Sequence, residues 1–544
     1  MSSTLSFNLV REPWLPVTMR DGTTTELGLM DFFAQAHEAR GLNEPSPLTY
    51  TAVMRYLIAI LHRATNGPTS PVDWGNRWMA HQFAMEEIRP YLERWEHRFD
   101  LFHPEKPFAQ EGPSFTQKDA SPITRLFMER TSGNNPTLFD HAWDDAPPAK
   151  TPAEATRALL TAHGYAFAGS GGKFFNSTLI AGYSILFEGR NLFETLMLNL
   201  QLYTDESPRG LGKHGDQDKP WWELENDPPA ERGGNLPLGL TDLLTWRSRS
   251  IRLLPATDGT VRDLYYAQRY QLREAGIFDP FKRYGQSVTG PSKGQFFPKN
   301  FVAGRALWRD SFALIEQQEE DDPASTEIRP IPGIVNWVAT TMRSLEQRHG
   351  PQGLVPTLIA TGLVNNQAKI DLWRMDRLPL PVAVMTDRSR RLQVRDAVEM
   401  AQTIRGALNQ AGTRFATEAL SLGERSPDPK DVGRERANLK LDERYWSRLD
   451  TPFQRFIIAL GDGDTTLDAD QLSPAVRTWY RDLRDIARTV YIEATNSAGL
   501  DSRWFRAQAY GARVLDSQLK KALGDSLDQP EDSPTNDITE DPIA

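Results

Sequence analysis

A glycine-rich stretch, Ala168-Gly169-Ser170-Gly171-Gly172-Lys173, is the segment whose residue types come closest to known chemistry. A phosphate-binding P-loop, GxxxxGK[ST], would need a glycine at Phe167 and a Ser or Thr at Phe174. The dinucleotide motif GxGxxG fails at its third glycine, which is again Phe174. The nucleophile elbow GxSxG fails only at its first glycine, which is Ala168. The stretch therefore excludes two nucleotide-binding motifs and leaves Ser170 as a candidate nucleophile.

A serine hydrolase centred on Ser170 is the enzymatic alternative that the residues leave open. Only His214 and His349 follow Ser170 as possible bases, and none of the nine histidines forms an HExxH motif or is followed by Asp. The chain has no cysteine, which excludes disulfides, a thiol nucleophile and cysteine-ligated zinc or iron–sulfur sites. The residues thus indicate no metal, no cofactor and no complete catalytic motif.

The charge of the chain limits how it can bind nucleic acid. The net charge is −10, and residues 525–544 contain seven acids and no base, so the remainder carries −10 + 7 = −3. Proteins that hold long nucleic acid alone usually show a basic excess. We therefore expect local or assisted binding, and an acidic, disordered tail at 525–544. With no secretory signal and no apolar run of about 20 residues, a cytoplasmic location is expected.

Two regimes of secondary structure position these residues. Up to about residue 375, short strand-like runs alternate with helices and loops. The run Phe7–Val17 followed by Asp21-Gly22 predicts a hairpin, Ser46-Pro47 predicts the capped start of a helix, and the Asp-, Pro- and Gly-rich range 203–236 predicts a long surface loop.

After about residue 385 the apolar residues recur at three- and four-residue spacing, which predicts long amphipathic helices. Their apolar stripes run along 394–408, 445–460, 476–494 and 505–522, with a kink or restart near Pro452 and a charged loop at 421–439. Four striped helices predict a bundle. We therefore predict an α+β protein with a mixed α/β domain at 1–378 and a four-helix bundle at 379–524.

Three motifs connect the chain to a known family. Phe7-Asn8-Leu9-Val10-Arg11-Glu12-Pro13-Trp14-Leu15-Pro16-Val17, Leu101-Phe102-His103-Pro104-Glu105-Lys106-Pro107-Phe108 and the 361–368 stretch TGLVNNQA resemble the large subunit of the type I-E CRISPR surveillance complex, Cascade. The resemblance extends over most of the chain.

The resemblance implies a function that is not enzymatic. In this family, the large subunit belongs to an RNA-guided complex, recognises the short motif that flanks the DNA target, helps to open the duplex and recruits a helicase-nuclease. The resemblance implies that the partners are the other Cascade subunits, guide RNA and double-stranded DNA, and that the protein does not bind a membrane. Some members carry a cysteine zinc site, which this chain cannot form. A structural scaffold that touches no DNA is the remaining alternative.

The resemblance also assigns DNA-contacting residues. Gly169, Ser170, Gly171, Gly172 and Lys173 are similar to the family's glycine loop, whose backbone amides can approach a groove or phosphate closely. The alternative is a flexible turn with no role in DNA binding. Lys293, on the Pro/Gly-rich loop 290–294, is placed like the family's lysine finger, with Lys282 as a competitor.

Asn365, Asn366, Gln367 and Ala368 resemble the family's glutamine wedge. Amide side chains both donate and accept, so they can replace hydrogen bonds of a base pair that they displace. Without the resemblance, a polar turn or helix cap would be favoured. Together with the other two segments, the wedge implies reading from the minor groove, whose pattern is degenerate, so several flanking motifs should be accepted.

One further segment, 131–139, resembles the loop that contacts the 5′ handle of the guide RNA. Asn134, Asn135 and Phe139 are the residues it assigns there, with Leu138 as an alternative to Phe139. An aromatic ring can stack on a splayed RNA base. A loop aromatic packed into the local core is the competing interpretation.

Overall fold

The computed structural model describes residues 5–127, 148–166, 177–205, 211, 213, 217–231, 233–269, 271–273, 278–287, 290–316, 331–366, 369–421, 426–463, 472–496 and 502–524. These residues form the α-helices α1 Leu29–Gln35, α2 Pro47–Thr65, α3 Pro71–Met79, α4 Met85–Trp95, α5 Pro152–Tyr165, α6 Leu192–Asn199, α7 Leu240–Leu244, α8 Ser311–Ile315, α9 Gly333–His349, α10 Val382–Thr386, α11 Arg388–Leu420, α12 Pro429–Asn438, α13 Leu441–Trp446, α14 Asp450–Asp462, α15 Pro474–Asn496 and α16 Ser502–Leu523. The strands are β1 Leu15–Met19, β2 Thr24–Leu27, β3 Ala39–Leu42, β4 Ser121–Pro122, β5 Ser184–Glu188, β6 Arg249–Pro255, β7 Val261–Gln268, β8 Tyr284–Gln286, β9 Phe296–Pro298, β10 Thr357–Asn366 and β11 Lys369–Pro379.

The chain divides into two compact units, Met1–Thr386 and Asp387–Ala544. In the first, strands form antiparallel sheets of order β2-β1-β3, β11-β10-β5 and β4-β7-β6, with β8 and β9 as a separate hairpin. Among the described residues of the second, all regular elements are α-helices. The mixed α/β fold with a helical C-terminal region is confirmed, and the four-helix bundle stays a prediction. No helix of the described residues is both long and apolar enough to cross a membrane.

Helix α2 is the central element of the first unit. Ser46 caps it by accepting a hydrogen bond from Thr49 N, as predicted, and Pro47 begins it. Fifteen of its 19 residues are buried, including Arg55 and His62, so the helix is covered on all sides. The predicted hairpin after Phe7–Val17 is confirmed as β1 and β2, which pair antiparallel.

Within the described residues of the range 203–236, the prediction of a surface loop is partly wrong, because residues 225–231 are exposed but others are buried. Trp221 and Trp222 are 5 % and 0 % exposed, and Asp218 is fully buried. The carboxylate of Asp218 accepts hydrogen bonds from Tyr203 OH and from the amides of Thr241 and Asp242, which compensates its burial. The many Asp, Pro and Gly residues of this segment are typical of surface turns, so they gave no indication that part of it is buried in the core.

Two buried histidines make the stability of the first unit depend on pH. Burial lowers the pKa of His62 and of His163 to about 3, although each ring donates one hydrogen bond to a backbone carbonyl, of Gly67 and of Ala109 respectively. Because the unfolded residues titrate near 6.5, their contribution is complete above that pH and is lost as the pH falls toward 3. We expect a loss of about 2.5 kcal/mol between pH 7 and pH 5.5, or roughly 3 °C in Tm.

Differential scanning calorimetry across this pH range measures the effect. The variant His62→Asn/His163→Gln keeps a polar partner for each carbonyl but removes both titrations, so its Tm should change less over the same interval. An equal pH slope in the two proteins would contradict this assignment.

The second unit is built on α11, which has 33 residues. Trp479 Nε1 and Tyr445 OH donate to the Ala397 and Ala401 carbonyls of this helix, at 3.1 and 3.2 Å. The predicted restart near Pro452 is confirmed, since α14 begins at Asp450. The charged loop predicted at 421–439 is partly wrong, because residues 429–438 form α12.

The predicted apolar face of α16 is also partly wrong. Phe505 is 56 % exposed and Ala509 is exposed, whereas Ala507, Gly511, Leu515, Leu519 and Leu523 form the buried face. A Cβ at Gly511 would lie 2.8 Å from Ala411 O, so glycine allows α16 to approach α11 closely. A glycine does not stand out as apolar in a helical pattern, so Gly511 gave no sign of lying on the buried face. The predicted apolar face therefore differs from the observed one.

Candidate nucleic-acid interface

Asn365 and Asn366, the described part of the predicted wedge, end strand β10 at the tip of a long β-hairpin. Strands β10 and β11 pair from Thr357↔Pro379 to Asn366↔Lys369, with an irregularity between Val364 and Asn365. Asn365 and Asn366 therefore belong to the last paired residues of β10, while Gln367 and Ala368 lie outside the described residues, as do the side chains of 365–372. The backbone geometry thus places Asn365 and Asn366 at the end of a strand and not at a helix cap, and their role as a wedge stays a prediction.

Strand β5 and the residue before it hold this hairpin in place. Residues 184–188 of β5 pair with 357–361 of β10. A Cβ at Gly362 would lie 3.0 Å from Tyr183 Cα, so only glycine lets the backbones come this close. On β11, the ring of Trp373 meets that of Tyr165 edge-on at 6.5 Å between centroids. The base of this hairpin is therefore packed against β5 and α5.

The predicted glycine loop, Gly169 to Lys173, lies outside the described residues, but both of its flanks are well defined. Ser177 Oγ donates to Ala166 O at 2.7 Å, and Arg249 Nη2 donates to the same carbonyl at 2.8 Å. Ser177 and Arg249 are each 1 % exposed. The chain therefore leaves at Ala166 and returns at Ser177 at one fixed point, which we call the neck.

Lys282 is buried and bonds to the residues that directly follow the neck. It is 5 % exposed, and its ammonium donates to the carbonyls of Thr178 and of Ala181, at 2.6 Å for the latter. A lysine committed to buried backbone carbonyls is not available for a DNA groove. Of the two candidates, Lys293 is therefore the exposed lysine, and its contact with DNA stays a prediction.

Lys293 lies on the connection between β8 and β9. Its side chain is exposed, and the turn is closed by hydrogen bonds from Lys293 N to Gly290 O at 3.2 Å and from Gly294 N to Ser287 O at 2.8 Å. Gly290 and Gly294 have φ of +73° and +86°, a conformation that glycine adopts without strain. The loop presents its lysine to solvent on a short, ordered turn.

The segment 177–185 joins all three predicted DNA-contacting features. It begins at the neck and continues into β5, which pairs with the hairpin. Tyr183 N donates to Lys299 O at 3.0 Å, and Gly182 N donates to Asn300 Oδ1 at 2.7 Å. The Tyr183 ring also stacks on that of Phe301, with 4.8 Å between the centroids. The end of the β8–β9 hairpin is therefore attached to this segment as well. We call residues 177–185 the junction.

Buried arginines surround the neck. Asp227 forms ion pairs with Arg247 and Arg269, and Glu111 also pairs with Arg269. Burial disfavours ionisation of Asp227, but the two guanidiniums outweigh it and lower its pKa. Arg249 Nε donates to Tyr266 OH at 3.1 Å. This last contact helps to hold the guanidinium that reaches Ala166 O.

The residues predicted to contact the guide handle, Asn134, Asn135 and Phe139, lie outside the described residues. Their flanks also come together, because Lys150 Nζ lies 5.0 Å from the centroid of the Phe127 ring. Lys150 forms an antiparallel bridge with Val261 of β7, which also pairs with β4. One sheet thus anchors both ends of the segment 128–147.

The hydrolase alternative gains no support from the described residues. Ser170 and His214 lie outside them, and His349 is exposed at the end of α9. No three His, Asp or Glu side chains of the described residues are grouped so that they could hold a metal ion.

Sequence reasoning missed the buried donors Ser177 and Arg249 and the position of Tyr183. None of them belongs to a motif, and each acts through contacts with residues 11 to 179 positions away. The approach of Tyr183 to Gly362 had one available signal, an isolated glycine inside an apolar run, which often marks close approach of another backbone.

Lys282→Met should destabilise the junction. The change keeps a chain of similar length but leaves the carbonyls of Thr178 and Ala181 without their donor, which we expect to lower the free energy of unfolding by about 2 kcal/mol. Lys293→Met, on the exposed turn nearby, is the matched control and should leave Tm unchanged. Equal Tm values for Lys282→Met and the wild type would show that Lys282 does not support the junction.

Comparison with known proteins agrees with this architecture. The family model of CRISPR-associated protein Cse1 matches residues 8–490. CasA/Cse1 of Thermus thermophilus is 31 % identical over 544 residues, which cover 97 % of this chain and 100 % of the relative.

Solved structures show the same fold. Cse1 from Acidimicrobium ferrooxidans superposes with a TM-score of 0.76 at 26 % identity, over 95 % of this chain and 98 % of its own. A chain of a CRISPR RNA-guided surveillance complex shares the fold with a TM-score of 0.68 at 23 % identity, over 95 % and 99 % of the two chains. The match along nearly the whole sequence confirms the resemblance carried by the three motifs, and the chain belongs to the Cse1 (CasA) family of CRISPR-associated proteins.

Proposed function

We propose that this chain is the large, non-catalytic subunit of an RNA-guided DNA surveillance complex. In this role it recognises the protospacer-adjacent motif, the short element flanking the target, in double-stranded DNA from the minor groove. It helps to open the duplex and recruits the helicase-nuclease. Its partners are the other Cascade subunits, the guide RNA and the target DNA, in the cytoplasm. Family membership supports the role, as does the fold shared with a chain of a surveillance complex.

The observation that carries the proposal is the attachment of three predicted DNA-contacting segments to one junction. The neck at Ala166 and Ser177, the end of the β8–β9 hairpin that bears Lys293, and the β10–β11 hairpin all bond to or pack against residues 177–185. Segments far apart in the sequence are therefore tied to a common support. A scaffold without DNA contact would not require this convergence.

The chemistry of the three segments suits the reading of a groove. Closely approaching backbone amides and one lysine supply donors for the acceptors of a groove edge and for phosphates. The minor groove mainly distinguishes A·T from G·C, so this set of donors tolerates several flanking motifs. Pairing with the guide RNA then reads the remaining target sequence.

Opening of the duplex is assigned to the hairpin tip. A polar side chain inserted beside the first target base pair must offset an unstacking cost of a few kcal/mol. A tip at the end of paired strands loses less conformational entropy on insertion than a free loop would. The packed base of β10, held by β5 and by the contact of Gly362 with Tyr183, provides that support.

An add-back experiment tests the function. The RNA-guided complex is assembled without this subunit, and its binding to duplex targets with and without the flanking motif is measured before and after the chain is added. We expect the chain to restore binding only to targets that carry the motif. Restoration regardless of the motif would favour a scaffold, and no restoration would reject both roles.

A further inference from the structure

An exposed face of α16 carries a basic and aromatic stripe. Arg506, Tyr510, Arg513, Ser517 and Lys521 follow one another at spacings of three and four residues, and all five are exposed. Such residues lie above one another on a helix. Asp516, the one acid of α16, instead reaches Arg488 on α15, at 2.9 Å. The stripe therefore combines positive charge with an accessible ring.

A cleft of about 300 Å³ lies along this stripe, between α16 and α11. The guanidiniums of Arg414 and Arg513 approach the Tyr510 ring at 5.3 and 5.8 Å from its centroid. Arg414 is paired with Glu418 at 2.6 Å. Neither Arg506 nor Arg513 has a carboxylate partner within the described part of the chain. Arg513 beside the ring and Arg506, four residues before Tyr510 on the same face, form a site suited to an acidic peptide with apolar residues.

We propose that residues 525–544 of the same chain dock on this stripe. The segment contains seven acids and no base, and Leu527, Ile538 and Ile543 are interspersed among them. Its carboxylates can pair with Arg506, Arg513 and Lys521, while an apolar side chain covers the Tyr510 ring. The proposal does not depend on the function assigned to the first unit.

The segment is long enough to reach the stripe. It begins two residues after Leu523, the last residue of α16. At 1.5 Å per residue, Arg513 lies about 15 Å and Arg506 about 25 Å back along the helix. A coil of 20 residues spans about 25 Å on average. Residues 525–544 can therefore cover the stripe without any rearrangement of α16.

Tethering favours this occupant over a separate polyanion. A ligand attached by a short linker has an effective concentration of about 1 mM. If the free peptide binds with a Kd of about 100 μM, the tethered copy should weaken binding of an added peptide about tenfold. A nucleic acid in solution lacks this advantage and is the competing occupant that the experiment distinguishes.

Fluorescence anisotropy with a fluorescein-labelled peptide of residues 525–544 tests the proposal. The peptide should bind a chain that ends at Gly524 about tenfold more tightly than it binds the full chain. In the shortened chain, Arg506→Ala/Arg513→Ala should weaken peptide binding at least about tenfold. Arg434→Ala/Lys440→Ala removes two other exposed cations of the same unit and should have no effect.

A second variant keeps the full length of the chain. Replacing all seven acids of 525–544 by the matching amides should expose the stripe as fully as the truncation does. Equal peptide binding by full and shortened chains, or by the Arg506→Ala/Arg513→Ala variant and its parent, would overturn the proposal. Binding of a single-stranded 12-nucleotide DNA to the stripe of both chains with equal affinity, without peptide binding, would also overturn it and assign the surface to nucleic acid.

Discussion

Asn366→Ala/Gln367→Ala should weaken binding of the assembled complex to duplex target about thirtyfold. The proposed wedge compensates the opening of the first base pair with amide hydrogen bonds, and alanine supplies none. Losing hydrogen bonds that contribute about 2 kcal/mol to the binding free energy corresponds to a weakening of about thirtyfold. An electrophoretic mobility assay with graded complex concentrations measures it.

A target whose first base pairs are already unpaired provides the decisive comparison. Here the opening cost is absent, so the double variant should bind within about threefold of the wild type. This rescue separates a wedge from a general loss of affinity. A variant that had lost a phosphate contact would bind both the duplex and the opened target more weakly, and by the same factor. The effect therefore belongs to duplex opening and not to docking.

The variant Gln347→Ala/Gln402→Ala removes two amides from exposed helical positions and is the matched control. It should bind both targets like the wild type. If Asn366→Ala/Gln367→Ala binds duplex normally, the assignment of the wedge is wrong. If it loses affinity equally for duplex and opened target, the tip contacts DNA without opening it.

The sequence predicted elements with local signals and missed those that depend on distant contacts. The cap at Ser46 and the turn after β1 follow from residues within a few positions, and both are confirmed. The run Leu354–Leu363 was compatible with a helix cap or a turn at its end. Pairing with β5, about 170 residues earlier in the chain, makes it a strand.

The two lysines of the candidate site illustrate the same limit. Lys282 and Lys293 both lie near glycines and prolines, and the sequence offered no means of choosing between them. The difference is burial, because Lys282 meets carbonyls from a segment about 100 residues earlier, whereas Lys293 meets solvent. Side-chain chemistry alone does not separate a structural cation from an available one.

Arg55→Met should destabilise the first unit more than any other single change considered. Arg55 on α2 and Asp279 are 1 % and 4 % exposed, and Arg55 Nη1 donates to Asp279 Oδ2 at 2.8 Å. Removing the guanidinium leaves a buried carboxylate without its counter-ion. We expect the free energy of unfolding to fall by about 4 kcal/mol, or roughly 5 °C in Tm.

The consequences should extend to the candidate interface. Asp279 Oδ1 accepts a hydrogen bond from Phe281 N at 3.0 Å, and Phe281 O accepts one from Ile185 N of β5. Disturbing Asp279 therefore disturbs the junction. Hydrogen exchange of the β5 amides should rise in Arg55→Met, and binding of the complex to duplex should fall together with Tm.

A second substitution distinguishes an unpaired charge from lost packing. In Arg55→Met/Asp279→Asn the neutral amide can still accept from Phe281 N, so more than half of the loss should be recovered. Arg11→Met, which breaks the exposed ion pair with Glu96, should leave Tm unchanged. If the double variant is no more stable than Arg55→Met, the packing of Arg55 against Phe281, 5.7 Å from its ring centroid, matters more than the buried charge.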